Sequence, residues 1–253
     1  MKYQLFAGTA AALIAAVFSA PASAQITPKP VPVSAPASAA SAPHPAAPIS
    51  LPVPDKGTFH ILLGGAEVGT EQFETSAAGN ARVLRSETVL RAPGQPETRS
   101  IGELHVSADG APLAYKWSAQ AEKKASGAVE FKAGTAKTTL DLANGKEPYQ
   151  SDFMFPSPRV AVLDNNLYYQ YALVAQLYDW NSRGSQVFPV LIPQDLTPGS
   201  IAVESLGPKT VEGGTFDVLR VTTADVEILA YYDARRRLMR VDVPAAMVSI
   251  VRR

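Results

Sequence analysis

The chain has 253 residues, with 23 basic and 23 acidic side chains, 46% hydrophobic residues and 18% charged residues. This composition is typical of a folding chain with one or two domains, and the zero net charge excludes the broad positive field of a general nucleic-acid binder. The absence of cysteine excludes disulfides, thiolate catalysis and cysteine-ligated metal centres. We therefore expect no nucleic-acid partner, and the sequence indicates no cofactor.

The N-terminus has the pattern of a secretory signal peptide at 1–24. Lys2 precedes an uncharged run of 14 residues, 5–18, and Ala24 ends an Ala-x-Ala motif that suits signal peptidase. A membrane anchor is the weaker interpretation, because the run is shorter than the ~20 residues of a transmembrane helix. We expect cleavage between Ala24 and Gln25, no transmembrane span afterwards, and an exported protein that is periplasmic or extracellular.

Residues 25–54 form a Pro/Ala-rich segment that is predicted to be a disordered linker. It holds nine Pro, seven Ala and four Ser in thirty positions. Proline removes backbone donors and fixes φ, so the segment favours polyproline II over helix or strand. Both a spacer that holds a domain off a surface and a tail left by processing remain open.

Residues 55–253 are predicted to be a single β-rich domain. Apolar residues alternate with polar ones over short stretches, and turn dipeptides interrupt this alternation, which is typical of antiparallel strands joined by hairpins. The turn dipeptides are Gly64-Gly65, Asp109-Gly110, Asn144-Gly145 and Gly213-Gly214. At the usual strand length we expect about a dozen strands.

One segment, 163–180, departs from this alternation and predicts a single central α-helix. Asp164 and Asn165 offer an N-cap, and the apolar spacing from Leu167 onwards follows one helical stripe. The segment is rich in aromatic residues with polar tips, which are either ordinary core residues or the wall of an apolar ligand site. The members proposed for ligand binding are Tyr168, Tyr171, Tyr178 and Trp180.

A long antiparallel sheet must cover its second face and its edges. Curving around one helix does both, so the predicted fold is mainly β: an antiparallel meander that forms a strongly curved sheet or half-barrel packed on the central α-helix. Such an arrangement encloses an apolar cleft. On the sheet side, the alternating residues Leu113, Tyr115 and Trp117 are expected to line it, with Tyr115 and Trp117 as ligand-binding residues.

Several motifs together resemble a known group of proteins. They are the signal and Pro/Ala linker, the meander that opens at 57–61 and 69–73, the helix start at 163–167, and the closing stretches 230–233 and 237–244. This combination resembles bacterial secreted or periplasmic domain-of-unknown-function families. The resemblance covers about 57–252 and implies the curved half-barrel of lipoprotein-localisation factors and lipid carriers. It implies no catalytic residues.

No motif for catalysis or metal binding is present, so no catalytic or metal-ligating residue is predicted. His60 and His105 stand singly on predicted strands, which is typical of structural or surface histidines. A two-histidine metal site completed by a carboxylate is the weaker alternative. Glu67, Glu71 and Glu74 are expected to form a solvated acidic face, and a carboxylate dyad within this series is the weaker alternative.

Arg235, Arg236 and Arg237 form a basic cluster at a predicted hairpin tip. Such a tip suits contact with lipid phosphates or an anionic envelope polymer. It also suits a charged turn that prevents unwanted strand pairing.

Three functions follow from these observations. The first is an exported envelope protein that is not an enzyme and binds an apolar or amphiphilic, lipid-like ligand. The second is a ligand-free scaffold that interacts with an envelope protein. The third is a hydrolase whose site has no recognisable motif. The first is preferred because of the aromatic segment.

Overall fold

A computed structural model describes residues 54–182, 184–223 and 225–253. The predicted signal peptide 1–24, its cleavage site between Ala24 and Gln25, and nearly all of the predicted linker 25–54 lie outside the described residues. In the described ranges, no helix is long and apolar enough to cross a membrane.

The domain is built on one sheet, in which 15 strands are described. The mainly β prediction is confirmed, with more strands than the dozen expected. The strands are β1 Asp55–Leu63, β2 Ala66–Ala78, β3 Ala81–Leu90, β4 Thr98–Val106, β5 Pro112–Gln120, β6 Lys124–Lys132, β7 Thr135–Asp141, β8 Tyr149–Met154, β9 Ala161–Val162, β10 Gln186–Ile192, β11 Thr197–Val211, β12 Gly214–Thr222, β13 Glu227–Tyr232, β14 Leu238–Val243 and β15 Val248–Arg252.

Tight turns explain why neighbours in sequence are neighbours in the sheet. Gly64 and Gly65 alone separate β1 from β2, and both have positive φ, at 57° and 86°. Positive φ at both positions is the requirement of the hairpin turn that matches strand twist, and glycine meets it without steric cost. Glu212 and Gly213 make the corresponding turn before β12, so Gly214 belongs to the strand.

The order of strands across the sheet is β8-β7-β6-β5-β4-β3-β2-β1-β15-β14-β13-β12-β11-β10-β9. The first and last strands, β1 and β15, pair antiparallel in the middle of the sheet. The sheet is not closed, and its edges are β8 and β9. Only the pairing of β9 with β10 is parallel among the described strands. A parallel pair needs a long crossover, and here that crossover contains the helical residues.

The predicted helix over 163–180 is much shorter in the structure. A 3₁₀ helix, Tyr168–Leu173, leads into one α-helical turn, α1, Val174–Leu177. Asn166 has a left-handed φ of 61°, which a helix cannot include, and Tyr178 is extended at φ −72° and ψ 128°. Asp164 does not cap the helix, because its carboxyl group bonds elsewhere.

Residues 168–177, called the helical segment below, are almost entirely buried. Tyr169 stacks on Phe73 of β2 with ring centroids 4.0 Å apart, and the hydroxyl of Tyr232 in β13 donates to the carbonyl oxygen of Tyr171 at 2.8 Å. The face of the sheet that makes these contacts is called the inner face.

Four register shifts interrupt the described strand pairings, and two of them lie in strands that were used to predict the site. The pairing of β1 with β2 skips Val68, and the pairing of β4 with β5 skips Leu113. An extra residue in one strand moves the following side chains to the other face. Leu113 is therefore exposed, while Tyr115 and Trp117 are buried on the inner face. The expectation that Leu113 lines the cleft was wrong for this reason.

The bulge in β2 lies beside Gly69, where the backbone of β3 approaches closely. A Cβ atom at Gly69 would lie closer than 3.0 Å to the carbonyl oxygen of Val89 and to a methyl group of Leu90. We predict that Gly69→Ala lowers the free energy of unfolding by about 1–3 kcal/mol, the usual cost of overpacking. Urea denaturation measures this change.

Gly199 in β11 is the matched control. A Cβ atom there would lie 3.6 Å from a methyl group of Val190, an ordinary contact. Gly199→Ala should change the unfolding free energy by less than about 0.5 kcal/mol. Equal effects at the two glycines would show that close approach to β3 does not constrain Gly69.

Candidate functional site

The aromatic residues singled out by sequence converge around the helical segment. Tyr168, Tyr171 and Tyr178 are buried, and Trp180 is half-buried. The ring of Trp180 makes edge contacts with Tyr178 at 5.2 Å and with Tyr232 at 6.1 Å. Aromatic contacts therefore connect the residues that follow the helical segment with the core.

Tyr169 belongs to the same cluster but was missed by the sequence reasoning. It lies outside the helical stripe through Leu167, yet it stacks on Phe73, and its hydroxyl is 2.6 Å from the Thr75 hydroxyl. A one-sided stripe assumes that the other face is solvated, whereas this segment is buried all round. In the sequence, the apolar alternation of β1 and β2 indicated that these strands have a buried face, but it did not indicate that this face contacts Tyr169.

Glu71 of β2 forms hydrogen bonds with the first residues of the helical segment. Its side chain is 0% exposed, and its two carboxyl oxygens accept the N–H groups of Tyr168 and Tyr169 at 3.1 Å. These N–H groups have no partner within the helix, because the first turn of a helix leaves its donors free. The expectation of a solvated acidic face holds for exposed Glu67 and Glu74 but was wrong for Glu71.

Burial dominates the electrostatics of Glu71. Desolvation raises the pKa of its carboxyl group to about 8, although hydrogen bonds from Tyr169, Ser86 and Tyr168 act in the opposite direction. Hydrogen bonds therefore reduce the cost of the charge without removing it. The group carries its proton at neutral pH.

Asp164 is a second buried carboxyl group in the same region. It accepts the hydroxyl of Tyr115 at 2.8 Å and the N–H of Gln194 at 3.0 Å. Its own N–H donates to the amide oxygen of Gln170. Burial raises the pKa of Asp164 to about 7, although the hydrogen bonds to its carboxyl group act in the opposite direction. Burial also raises the pKa of Tyr115, and the nearby charge of Asp164 adds to this effect.

The contact between Tyr115 and Asp164 joins distant parts of the sheet. Tyr115 is on β5, the fourth strand from one edge, and Asp164 follows β9 at the other edge. The predicted ligand-binding residue Tyr115 also forms a hydrogen bond with the side chain of Gln170, a member of the helical segment. Trp117 is two residues further along β5, and its indole nitrogen has no hydrogen-bond partner among the described residues.

The arginine cluster lies beside the same aromatic residues, although the two were predicted separately. The guanidinium group of Arg236 sits 3.5 Å from the centre of the Trp180 ring and also pairs with Asp217. Arg237 pairs with Asp233, and Arg235 is exposed. Together these arginines border a small cleft that is also lined by Asp55, Tyr169, Ala172, Gln176 and Leu238.

The structure does not bring the two strand histidines together. His60 lies on β1 and His105 on β4, with β2 and β3 between them. Their nearest carboxyl partners are Glu67 at 3.0 Å and Glu103 at 2.7 Å. Within the described ranges, no three His, Asp or Glu side chains are placed to hold a metal ion.

Comparisons with known proteins define the fold class. No protein-family model and no curated protein matches the chain. Among solved structures, it is similar to a β-barrel-like protein of the domain-of-unknown-function family DUF1849 from Brucella abortus, with 11% identity, a TM-score of 0.54, and coverage of 79% of this chain and 95% of that one. A DUF1089-family protein from Pseudomonas aeruginosa has 8% identity and a TM-score of 0.42 over 70% of this chain and 90% of that one.

At 11% identity, the first of these similarities shows the fold alone. The chain is a β-barrel-like domain whose large sheet is not closed. The similarity agrees with the expected likeness to domains of unknown function.

Protonation of Glu71 should appear in the pH dependence of stability. The folded state holds the proton up to about pH 8, whereas the unfolded chain releases it near pH 4.5. Unfolding therefore releases a proton between these values, and we predict that stability falls across this range by at most about 1.4 kcal/mol per pH unit from this group. Urea denaturation from pH 5 to pH 9 measures the slope.

Glu71→Gln keeps the acceptor oxygen but cannot ionise. We predict that this variant has a shallower slope and is more stable than the parent chain at pH 9. Glu74→Gln, at an exposed position of the same strand, is the control and should keep the parent slope. An unchanged slope in Glu71→Gln would show that Glu71 does not hold the proton.

Proposed function

We propose that the protein is an exported envelope module that binds an apolar or amphiphilic, lipid-like ligand and is not an enzyme. The observation that carries this proposal is the aromatic helical segment held against the inner face of the sheet. Large aromatic side chains with polar tips suit a ligand that is mostly apolar with one polar end. The ligand lies between this segment and the strands.

The proposal requires the sheet to curve around the segment as a half-barrel. Support comes from the 2.8 Å hydrogen bond between Tyr115 of β5 and Asp164 beyond β9, which links strands far apart in the sheet order. The 3₁₀ turn Pro193–Asp195, after β10, also contacts β6. A flat sheet would separate these strands by several spacings of about 4.8 Å each.

Export is proposed from the N-terminal sequence. The uncharged run 5–18 and the motif that ends at Ala24 fit a protein cleaved before Gln25 that acts in the periplasm or outside the cell. The Pro/Ala-rich stretch 25–54 then serves as a spacer between the mature N-terminus and the binding domain.

The ligand is tested by purifying the exported protein from a periplasmic expression host, extracting it with organic solvent and identifying lipid by mass spectrometry. We predict a stoichiometric lipid in the parent protein. Tyr171→Ala should remove most of it, because the change deletes a buried aromatic ring of the segment. Tyr149→Ala, at an exposed position of the edge strand β8, should keep it.

Unfolding curves accompany this comparison, so that loss of lipid is scored only in folded protein. A folded parent protein without lipid would contradict the proposal. Equal lipid in Tyr171→Ala and Tyr149→Ala would place the ligand away from the helical segment.

The arginine turn, residues 235–237, is proposed to contact an anionic surface. Arg235 is the exposed member, while Arg236 and Arg237 are held by acidic partners. We predict that Arg235→Gln weakens binding to phosphatidylglycerol vesicles about fivefold, because a basic residue near an anionic surface contributes about 1 kcal/mol. Co-sedimentation at low salt measures this change.

Lys146→Gln, at an exposed turn before β8, is the control and should bind such vesicles like the parent protein. Vesicles of phosphatidylcholine alone should bind neither the parent protein nor the two variants. Equal loss in both variants would show a general charge effect and would argue against a specific role of the arginine turn.

A scaffold function is the second candidate, because the edge strand β8 is open. Tyr149 and Met154 are 51% and 89% exposed, and one side of the strand has no neighbour among the described strands. An unpaired edge can accept a strand from a partner protein. A lipid-free protein that cross-links to an envelope protein through β8 would favour this function.

A further inference from the structure

One row of the inner face differs from its neighbours in size and polarity. Consecutive register partners across five strands form this row: Glu71 of β2, Thr88 of β3, Ser100 of β4, Ala119 of β5 and Ala125 of β6. Register partners share a face, and Glu71 contacts the helical segment, so the whole row is on the inner face. We call it the polar row.

A second row on the inner face shows the contrast. It crosses β2 four residues after Glu71, and the row that contains Phe73 lies between the two. The second row consists of Thr75, Leu84, Leu104, Tyr115, Val129 and Thr138, and it is filled mainly by large apolar side chains. Protein interiors pack to nearly crystalline density, so small side chains require another group above them. The polar row therefore has smaller side chains than the second row, and three of its five members are polar: Glu71, Thr88 and Ser100.

Exposure changes along the polar row. Ala125 and Ala119 are partly exposed, Ser100 and Thr88 are 1% exposed, and Glu71 is 0% exposed. Phe59, the register partner of Glu71 on β1, is also fully buried and closes the inner end. The row thus leads from the surface to a buried carboxyl group.

The hydroxyl of Thr88 has no hydrogen-bond partner among the described residues, although its oxygen is completely buried. A buried hydroxyl without a partner costs about 1–3 kcal/mol, and such groups are rare in native proteins. Thr88 lies directly beside Glu71 in the register. Within the polar row, the Thr88 hydroxyl thus keeps a donor and an acceptor that no described residue uses.

We propose that the polar row binds the uncharged, hydroxyl-bearing end of the amphiphilic ligand. This inference rests on the proposed function and adds the chemistry of the ligand's polar end. A hydroxyl group can both donate to and accept from Thr88 and Ser100. The apolar part of the ligand then lies along the helical segment.

The charges of the row favour an uncharged group over an ion. The row contains no basic side chain to pair with a carboxylate or phosphate. Glu71 carries its proton at neutral pH, since burial raises its pKa to about 8, and its oxygens already accept two N–H groups. A cationic end group would therefore meet no carboxylate in the row.

Three probes with the same twelve-carbon chain test this choice: monolauroylglycerol, laurate and dodecyltrimethylammonium. Binding to the delipidated full chain is measured by titration calorimetry at pH 7, below the micelle concentration of each probe. We expect monolauroylglycerol to bind at least tenfold more tightly than either ion. Tighter binding of laurate or of the ammonium probe would overturn the proposal and leave the proposed function standing.

Thr88→Val removes the hydroxyl with little change of shape and should weaken monolauroylglycerol about tenfold while leaving laurate unchanged. Thr138→Val is the matched control, because Thr138 is 2% exposed and its hydroxyl also lacks a partner among the described residues, but it lies outside the polar row. If both variants bind monolauroylglycerol like the parent protein, Thr88 belongs to ordinary core and the proposal fails.

A second pair of variants tests the entrance to the row. Ala119→Phe places a ring over the partly exposed end and should abolish binding of monolauroylglycerol. Ser118→Phe adds the same ring to the exposed opposite face of β5 and should not affect it. Equal binding by these two folded variants would contradict entry along the row. Failure of the parent protein to bind any of the three probes would instead overturn the proposed function.

Discussion

The hydrogen bonds from the N–H groups of Tyr168 and Tyr169 to the buried carboxyl group of Glu71 hold the helical segment in its position. The segment is too short to be stable by itself, since helices below about a dozen residues are marginal in water. It has no side-chain cap of its own, and β2 supplies the acceptor across 97 residues of sequence. In this position Tyr169 stacks on Phe73, and the hydroxyl of Tyr232 donates to the carbonyl oxygen of Tyr171.

The inner face combines these polar attachments with an apolar core. Glu71 and Asp164 are both buried, and the bonds to each come from N–H and hydroxyl groups. A buried carboxyl group is tolerable when it is neutral and hydrogen-bonded, whereas an unpaired buried charge is very costly. The hydrogen bonds of Glu71 and Asp164 therefore fix the position of the neighbouring residues, and the stability of this part of the core depends on the protonation of the two carboxyl groups. Glu71 is also a member of the polar row.

The parts of the fold that depend on local interactions could be predicted from sequence. Gly64-Gly65 and Asp109-Gly110 mark turns because glycine adopts positive φ without steric cost, as Gly64, Gly65 and Gly110 do here, and alternation marks strands. Leu113 was misplaced because a bulge depends on pairing with β4, which a single strand does not encode. Glu71 looked like a surface residue because its partners are 97 and 98 residues away. The convergence of Arg236 on Trp180 has the same long-range origin, and the roles of these residues in binding remain predictions.

The pairing of β1 with β15 has a consequence for the order in which the structure forms. Asp55 and Arg252, 197 residues apart, make two ion-pair hydrogen bonds of 2.7 and 2.8 Å beside this central pairing. Until β15 has paired, the middle of the sheet has two unpaired edges, on β1 and β14. Contacts of such high sequence separation form slowly, because the entropy of closing a long loop is lost before the contact is gained. Completion of the sheet is therefore delayed until β15 is available to pair with both β1 and β14.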